Sequence, residues 1–232
     1  MERYGRGFSL DWLSKYYDLV TRTERSRYRR KQIELSGIRP GEKVLDVGCG
    51  TGSLAILARI AVGDNGETAG IDIAANMIST AQRKAERAGL DIDFRVASID
   101  NLPYPDGCFD VVTSTMMFHH LPVEIKAGGL REVHRVLKAD GRFFLCDFLA
   151  PHPLAAPLMF LPFVWMPSTR YQLFGKLPNL IRECGFTQLE LIRRGAFLTC
   201  YRAGKLRHRT DTTTDRKHAQ AEKELGSDQD RS

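Results

Sequence analysis

The stretch that decides the fold is VLDVGCGTGSLA, residues 44–55. It starts as a run of apolar and β-branched residues and passes through glycines at positions 48, 50 and 52 into a helix-like segment. Glycine has no Cβ, so the backbone can turn sharply there and approach a ligand closely. The stretch therefore predicts a buried strand, a tight loop and a helix. Open α/β sheets bind nucleotides at such loops, at the carboxyl ends of their strands.

Strand-like and helix-like runs alternate outward from this stretch. The strand-like runs are KVLDV, ETAGIDI, DFRVAS, FDVVTST and GRFFLCDF; the helical ones are SLAILARIA, ANMISTAQRKAERAG and EIKAGGLREVHRVLK. This alternation predicts an α/β fold with a mostly parallel sheet and helices on both faces. The clearest helix carries its apolar face on Met77, Ile78, Ala81, Ala85 and Ala88 and is predicted to end at Gly89. Further on, KLPNLIRECGF predicts a helix ended by Gly185, and Gly195 separates two closing strands.

The spacing of the glycines discriminates between nucleoside cofactors. A dinucleotide fingerprint needs GxGxxG or GxGxxA, but Ser53 directly follows Gly52 and places the third small residue one position early, which disfavours NAD and FAD. Asp72 ends the next strand, 20 residues beyond Gly52. A carboxylate there can accept both hydroxyls of an adenosine ribose. The alternative is that Asp72 caps the following helix.

Two more motifs make the pattern specific: VASIDNLPYPDGCFDVV, residues 96–112, and LREVHRVLKADGRF, residues 130–143. Together with VLDVGCGTG and GIDIA, in this order and spacing, they resemble the class I S-adenosylmethionine-dependent methyltransferases. The similarity is to the ubiquinone/menaquinone C-methyltransferase-like (methyltransferase type 11) branch and covers roughly residues 15–148. It implies a Rossmann-like seven-stranded sheet with an antiparallel last strand, and S-adenosyl-L-methionine as the cofactor.

The resemblance also implies a set of cofactor-binding residues. A group of residues in and next to the glycine loop is expected to line the methionine end of the cofactor. Asp72 is expected to bind the ribose, and Ile73 to cover one face of the adenine. Ser98 and Ile99 meet the adenine edge, and Thr115 lies beside the reactive centre. The glycine-loop group consists of Asp46, Gly48, Gly50, Thr51 and Gly52. Two positions depart from the pattern: Ser98 replaces the Asp or Asn of many relatives, and Ala139-Asp140 replaces a more usual Pro-Gly.

His119 and His120, just past the fourth strand, are the candidate catalytic residues. Methyl transfer needs a base only if the acceptor loses a proton, and neutral imidazole can take one near pH 7. The alternative is that the pair forms hydrogen bonds at a helix entry or lies at the surface. No metal site is predicted, because adjacent histidines point in different directions and no third ligand has suitable spacing.

Two apolar segments are predicted to cover the acceptor. These are the N-terminal region, residues 1–34, with LDWLSKYYDLV, and an insertion at residues 148–175. They favour a small apolar or amphipathic acceptor, such as a quinone precursor or a lipid-like molecule. The alternative is that they only pack on the sheet. The insertion is long enough for a membrane span, but FLAPHPLAAPLMFLPFVWMP contains five prolines, which argue against a simple spanning helix. The candidate pocket residues are Tyr16, Tyr17, Phe118 and Trp165.

Composition and charge limit the remaining possibilities. The net charge of +6 is a mild bias, and residues 22–31 (RTERSRYRRK) suit a solvated helix face or weak attraction to anionic lipid better than a nucleic-acid patch. Five widely spaced cysteines without a CxxC pair, together with an N-terminus that does not resemble a signal peptide, predict reduced thiols in a cytoplasmic protein with peripheral membrane contact left open. Residues 35–204 are predicted to form the methyltransferase domain. Residues 205–232, nearly free of large apolar side chains, are predicted to form a disordered tail.

Three other functions remain as alternatives to small-molecule methylation. A module of this fold could bind the nucleoside without turnover, although the intact glycines and Asp72 argue against a degenerate site. RNA or protein methylation is supported only by the arginine-rich segment. No NPPY-like or DPPY-like tetrapeptide follows FDVV, so the usual sign of amino-group methylation on bases is missing. Oxidoreduction is the least supported.

Overall fold

Seven strands form one sheet in the order β3-β2-β1-β4-β5-β7-β6. The computed structural model describes residues 24–147, 175–195 and 198–205. Strands β1 to β5 are parallel, and β7 is antiparallel to both of its neighbours, β5 and β6, which confirms the predicted architecture. The elements are α1 Glu24–Ser36, β1 Lys43–Val47, α2 Ser53–Val62, β2 Glu67–Asp72, α3 Ala75–Arg87, β3 Asp93–Val96, β4 Phe109–Thr115, α4 Val123–Val136, β5 Leu137–Asp147, α5 Leu177–Glu183, β6 Phe186–Arg194 and β7 Thr199–Lys205.

The core lies on both faces of the central strands. Val44, Leu45 and Val47 of β1 are completely buried, as expected for a parallel strand that is covered by helices on both sides. Helix α3 buries Ile78, Ala81 and Ala85 against the sheet, as predicted. The prediction is wrong for Ala88, which is exposed and follows the last helical residue, and Met77 is half-buried. The predicted end of α3 is confirmed. Gly89 has a φ of +64°, and the backbone N–H of the next residue, Leu90, donates to the Ala85 carbonyl.

The helix α1 crosses the sheet from one edge to the other. At its start, the Tyr28 hydroxyl lies 3.3 Å from Cys146 Sγ, near the carboxyl end of β5. At its end, the Ser36 carbonyl accepts a hydrogen bond of 3.1 Å from Nε of Arg142, which lies in the middle of the same strand. Helix α1 therefore runs antiparallel to β5 and begins at the carboxyl edge of the sheet, where the glycine loop lies.

Two predictions about the β5 region are wrong. Helix α4 ends at Val136, and β5 already starts at Leu137 rather than at Gly141, because Leu137 pairs with Phe109 before an irregularity in the β4–β5 register. Cys146 and Cys200 form a disulfide, so the expectation of five reduced thiols fails for this pair. The register of β5 and β7 places these cysteines directly opposite each other, and their spacing in the sequence gives no sign of it.

The predicted pocket segments fall mostly outside the described residues, and so do Tyr16, Tyr17 and Trp165. The predicted tail is outside them from residue 206 onward. The domain boundaries therefore stay predictions, and so does the covering of the acceptor by the two apolar segments. Within the described ranges, no helix is long and apolar enough to cross a membrane.

Candidate cofactor and acceptor site

The glycine loop is built from three left-handed residues. Gly48, Gly50 and Gly52 have φ values of +72°, +53° and +73°, a region that other residues rarely adopt. The backbone N–H groups of Gly48 and Cys49 both donate to the Ile71 carbonyl, at 2.8 and 2.9 Å, and so fasten the loop to β2. A Cβ on Gly52 would come within 2.8 Å of Ala81 Cβ and of the Phe94 ring, whereas one on Gly50 would meet nothing within 4 Å. The loop is therefore closed toward α3 and open at Gly50.

Asp72 ties this loop to the start of α3. One carboxylate oxygen accepts the Gly50 N–H and the other accepts the Ala74 N–H, each at 2.9 Å. Ala74 is the N-cap residue of α3 and no side chain caps the helix, so the alternative that Asp72 is a helix cap is wrong. Asp72 instead connects the residue before the helix to the open part of the glycine loop. This position at the end of β2 suits a carboxylate that receives ribose hydroxyls.

An aliphatic surface lies beside Asp72. Ile73 is 58% exposed, although it is a large apolar residue in a folded domain. Val96, which pairs with Asp72 across β2 and β3, is 55% exposed. The sequence analysis missed Val96, because its exposure follows from the sheet register and not from any motif. Two exposed aliphatic side chains at this edge can cover a flat apolar group such as adenine.

The predicted adenine-edge residues have different environments. The Ser98 hydroxyl donates to a carboxylate oxygen of Asp100. The Ile99 side chain is buried in the core, and a Cβ on Gly129 of α4 would overlap with it. Any contact of Ile99 with the adenine edge would therefore use its backbone. The roles of both residues stay predictions.

Asp46 is an almost completely buried carboxylic acid at the end of β1, with 2% of its surface exposed. Burial raises its pKa to about 7, and the negative charge of Asp72 acts in the same direction. The Thr113 hydroxyl donates to Asp46 Oδ1 at 2.9 Å, which partly offsets that rise. A carboxylate at this depth can bind a cationic group of a ligand.

Thr51 faces α3 rather than the open part of the loop. Its hydroxyl accepts a hydrogen bond of 3.1 Å from Lys84 Nζ, and the same ammonium donates to Ser53 Oγ at 2.7 Å. Lys84 therefore fixes the loop to α3. Sequence reasoning missed this role, because the contact forms only after the loop and α3 have packed together.

The end of β4 bends over the glycine loop. Thr115 is half-buried and pairs with Cys146 of β5, and the next residue, Met116, has a φ of +58°. The side chain of Met117 then lies so close to Gly48 that a Cβ there would overlap with it. The predicted reactive-centre residue Thr115 thus lies in the same small region as the glycine loop.

His119 and Asp147 form a buried pair at the ends of β4 and β5. His119 Nδ1 lies 2.7 Å from Asp147 Oδ1, and the backbone N–H of His119 donates to Oδ2 at 3.2 Å. Asp147 is completely buried and His119 is 6% exposed. The sequence predicted His119 but not Asp147, because nothing in the chain signals which strand end lies beside the histidine.

His120 is the more exposed of the two histidines, and its ring centroid lies 3.8 Å from that of His119. Desolvation by the surrounding protein lowers the pKa of His120 to about 4, with the neighbouring His119 as the second cause. His120 is therefore neutral at pH 7 and a weak base. His119 is the better placed of the two for taking a proton.

Lys126 adds a buried cation near this pair. Its side chain donates to the Leu121 carbonyl at 2.8 Å, and burial lowers its pKa to about 8, against the opposing effect of Asp147. Phe118, a predicted pocket residue, is completely buried and lies next to Phe143 in the core. No group of three or more His, Cys, Asp or Glu side chains suited to a metal ion occurs in the described part of the chain.

The residues at this edge fit S-adenosylmethionine. Asp46 can receive the ammonium of the methionine part, Asp72 the ribose hydroxyls, and Ile73 with Val96 the adenine. A Cβ on Gly50 would meet no atom within 4 Å, so the loop leaves room for a ligand there. Residues 44–141 match the family model of the methyltransferase domain. Over this region the chain is similar to methyltransferases.

Curated relatives confirm the resemblance to the quinone branch. The chain is 36% identical over 139 residues to the demethylmenaquinone methyltransferase of Thermus thermophilus. The aligned region covers 58% of this chain and 62% of that protein. It is 35% identical over 136 residues to the ubiquinone/menaquinone biosynthesis C-methyltransferase of Vibrio campbellii, covering 58% of this chain and 52% of the relative. The chain thus spans between half and two thirds of the length of these relatives.

Solved structures share the fold at lower identity. An S-adenosylmethionine-dependent methyltransferase from Aquifex aeolicus superposes with a TM-score of 0.64 at 21% identity, over 77% of this chain and 89% of that one. The [4+2]-cyclase SpnF gives 0.62 at 21% identity, over 78% and 80%. Because a cyclase has the same fold, the reaction has to be argued from the residues of the site.

Proposed function

We propose that the protein transfers a methyl group from S-adenosylmethionine to a small apolar or amphipathic acceptor, and that a quinone precursor is the first candidate. One observation carries this proposal. The predicted cofactor residues Asp46 and Asp72 and the buried His119–Asp147 pair lie at the carboxyl ends of strands β1, β2, β4 and β5 of one sheet. A donor held by the first group would meet an acceptor held beside the second.

Alignment is the main contribution of the protein to this reaction. S-adenosylmethionine supplies, when bound, a methyl group on a positively charged sulfur. Holding that methyl in line with the acceptor can contribute about 7–11 kcal/mol. Asp46 and Asp72 would fix the two ends of the cofactor, and Met117, which covers Gly48, would shape the wall near the reacting atoms.

His119 would act as the base for an acceptor that loses a proton. When such an acceptor takes the methyl group that the bound cofactor would supply, its proton would pass to His119 Nε2. Asp147 accepts the Nδ1 proton of the ring, which fixes this tautomer and stabilises the charged imidazolium that forms. His120, with a pKa near 4, is too weak a base for this role.

The relatives support an acceptor with an apolar body. They are named for methylation in demethylmenaquinone and ubiquinone/menaquinone biosynthesis. The two apolar segments that are predicted to cover the acceptor, residues 1–34 and 148–175, agree with this chemistry. A cytoplasmic location with peripheral contact to a membrane, where such acceptors dissolve, is part of the same proposal.

The test is transfer of tritium from S-adenosyl-[methyl-³H]methionine to a short-chain 1,4-naphthoquinol, measured in the organic phase. We expect labelled product and an equal amount of S-adenosylhomocysteine. Asp147→Asn should lower kcat by roughly 100-fold or more, with little change in cofactor affinity, because general-base catalysis is lost. Asp110→Asn, at the opposite edge of the sheet, is the matched control and should keep kcat.

Two results would count against the proposal. If the wild type binds the cofactor but labels no quinol or phenol, the acceptor class is wrong. If Asp147→Asn and a second variant, His119→Gln, keep full kcat while their thermal unfolding is unchanged, the pair has no part in proton transfer.

A further inference from the structure

The arginine-rich helix α1 has one arginine that differs from its neighbours. Arg27 and Arg30 are exposed, whereas Arg29 is half-buried. Residues four apart lie on the same side of a helix, so Arg29 shares its side with Ile33. Ile33 packs against a cluster that contains Val44 of β1 and Val111 of β4. Arg29 therefore lies on the side of α1 that faces β1 and β4.

The direction of α1 places Arg29 near the end of β1. The helix begins at the carboxyl edge of the sheet, so moving back one turn from Ile33 leads toward that edge. One turn covers about 5.4 Å, and two strand residues cover about 6.6 Å. The step from Ile33 to Arg29 thus corresponds to the step along β1 from Val44 to Asp46. The electrostatics agree, because the positive charge of Arg29 acts on Asp46 and opposes part of the rise in its pKa.

The methionine end of the cofactor has two charges to satisfy. Its ammonium suits the buried carboxylate of Asp46, but its carboxylate needs a cation at nearly the same place. A guanidinium can bind a carboxylate with two parallel hydrogen bonds and keeps its charge at any physiological pH. Lys84, another cation near the loop, lies on its α3 side, where its ammonium donates to Thr51 and Ser53.

We propose that Arg29 binds the carboxylate of the methionine part of S-adenosylmethionine, while Asp46 binds the ammonium. This inference rests on the proposed function, because it assumes that cofactor. It also divides the arginine-rich segment: Arg29 belongs to the cofactor site, and Arg27 and Arg30 stay on the surface. Helix α1 thereby closes the site over β1.

The test compares two ligands that differ only at the end in question. S-adenosylhomocysteine carries the amino-acid group, whereas 5′-methylthioadenosine keeps the adenosine and the thioether without it. Titration calorimetry of Arg29→Met should show roughly tenfold or greater weakening for S-adenosylhomocysteine, as expected for a lost charge-assisted hydrogen bond. The affinity for 5′-methylthioadenosine should stay within about twofold, and Arg27→Met should leave both affinities unchanged. A second variant, Arg29→Lys, keeps the charge and should weaken only S-adenosylhomocysteine, by less than Arg29→Met does.

The outcomes separate this inference from the proposed function. If wild type binds both ligands and Arg29→Met loses neither or loses both equally, the inference is overturned while the cofactor assignment stands. If wild type binds neither ligand, both are overturned. Thermal unfolding of each variant shows whether it is folded; should Arg29→Met fail to fold, the contrast between the two ligands in Arg29→Lys decides.

Discussion

Asp46 is a buried carboxylic acid with a raised pKa. Burial raises its pKa to about 7, Asp72 raises it further, and Thr113 and Arg29 lower it. In the folded protein the side chain is therefore about half protonated at neutral pH. A bound ammonium favours the carboxylate, so cofactor binding should expel the proton. The acid thus couples cofactor binding to pH.

We predict that the affinity for S-adenosylmethionine rises with pH through about 7, because only ionised Asp46 attracts the ammonium. The sign is opposite for the stability of the free protein. The pKa of an ordinary aspartate is 3.8 and that of folded Asp46 is about 7, so between these values the folded state holds a proton that the unfolded state has lost. The contribution of Asp46 to the free energy of unfolding therefore falls as pH rises through that range. Calorimetry at pH 5.5 to 8.5 measures the first effect. Asp46→Asn should bind more weakly and without this pH dependence; an equally pH-dependent variant would contradict the assignment.

Single residues could be predicted from the sequence where their role is local. Gly48, Gly52 and Asp72 mark a turn and a strand end, and the structure places them there. Lys84 and Val96 could not be predicted, because their roles depend on which elements become neighbours: Lys84 reaches Thr51 from a different element, 33 residues away.

At the scale of elements, hydrogen bonds connect the third sequence motif, residues 96–112, to the fourth, residues 130–143. Arg135 of α4 donates to the carbonyls of Tyr104 at 2.8 Å and Leu102 at 3.1 Å, and Glu132 accepts the Leu102 N–H at 2.9 Å. Nε of Arg135 also donates to Glu132 at 2.7 Å. These bonds fix the NLPYPDG loop to α4. The fourth motif therefore supports the third.

Replacing Arg135 by Met should lower the free energy of unfolding by about 1.5–3 kcal/mol, because carbonyl groups lose a charged donor. The exposed ion pair with Asp106 should add little. Urea unfolding measures the difference, with the exposed Arg131→Met as the control, expected within about 0.5 kcal/mol of wild type. Equal destabilisation by the two variants would mean that the hydrogen bonds of Arg135 to the loop do not contribute to stability.

Elements with strong periodicity and clear end signals could be predicted well. The apolar residues of α3 indicated a helix, and Gly89 marked its end. Gly185 marked the end of α5 in the same way. The start of β5 could not be predicted, because Leu137 belongs to a strand only through its pairing with Phe109. The left-handed backbone at Met116 is equally invisible in the sequence, since methionine has no preference for that conformation.

Across the whole molecule, the candidate site and the loop fixed by Arg135 lie at opposite edges of the sheet. The carboxyl edge holds the glycine loop, Asp46, Asp72 and the His119–Asp147 pair, whereas the amino edge holds the loop fixed by Arg135. The sequence predicted the position of the glycine loop, because parallel strands bring their carboxyl ends to one edge. It could not predict the pairing of His119 with Asp147, which are 28 residues apart, or the Cys146–Cys200 disulfide, which closes 54 residues. Both depend on strand order and register.

The central claim is that this edge binds S-adenosylmethionine and no nicotinamide dinucleotide. The most direct measurement is calorimetric titration of the full chain with S-adenosylmethionine and, separately, with NADH, repeated for Asp72→Ala after its fold has been checked by circular dichroism. We predict micromolar binding of S-adenosylmethionine to the wild type, none of NADH, and loss of the sulfonium ligand in the variant. Binding of NADH, or of S-adenosylmethionine with the same affinity in the wild type and in a folded Asp72→Ala protein, would contradict the account.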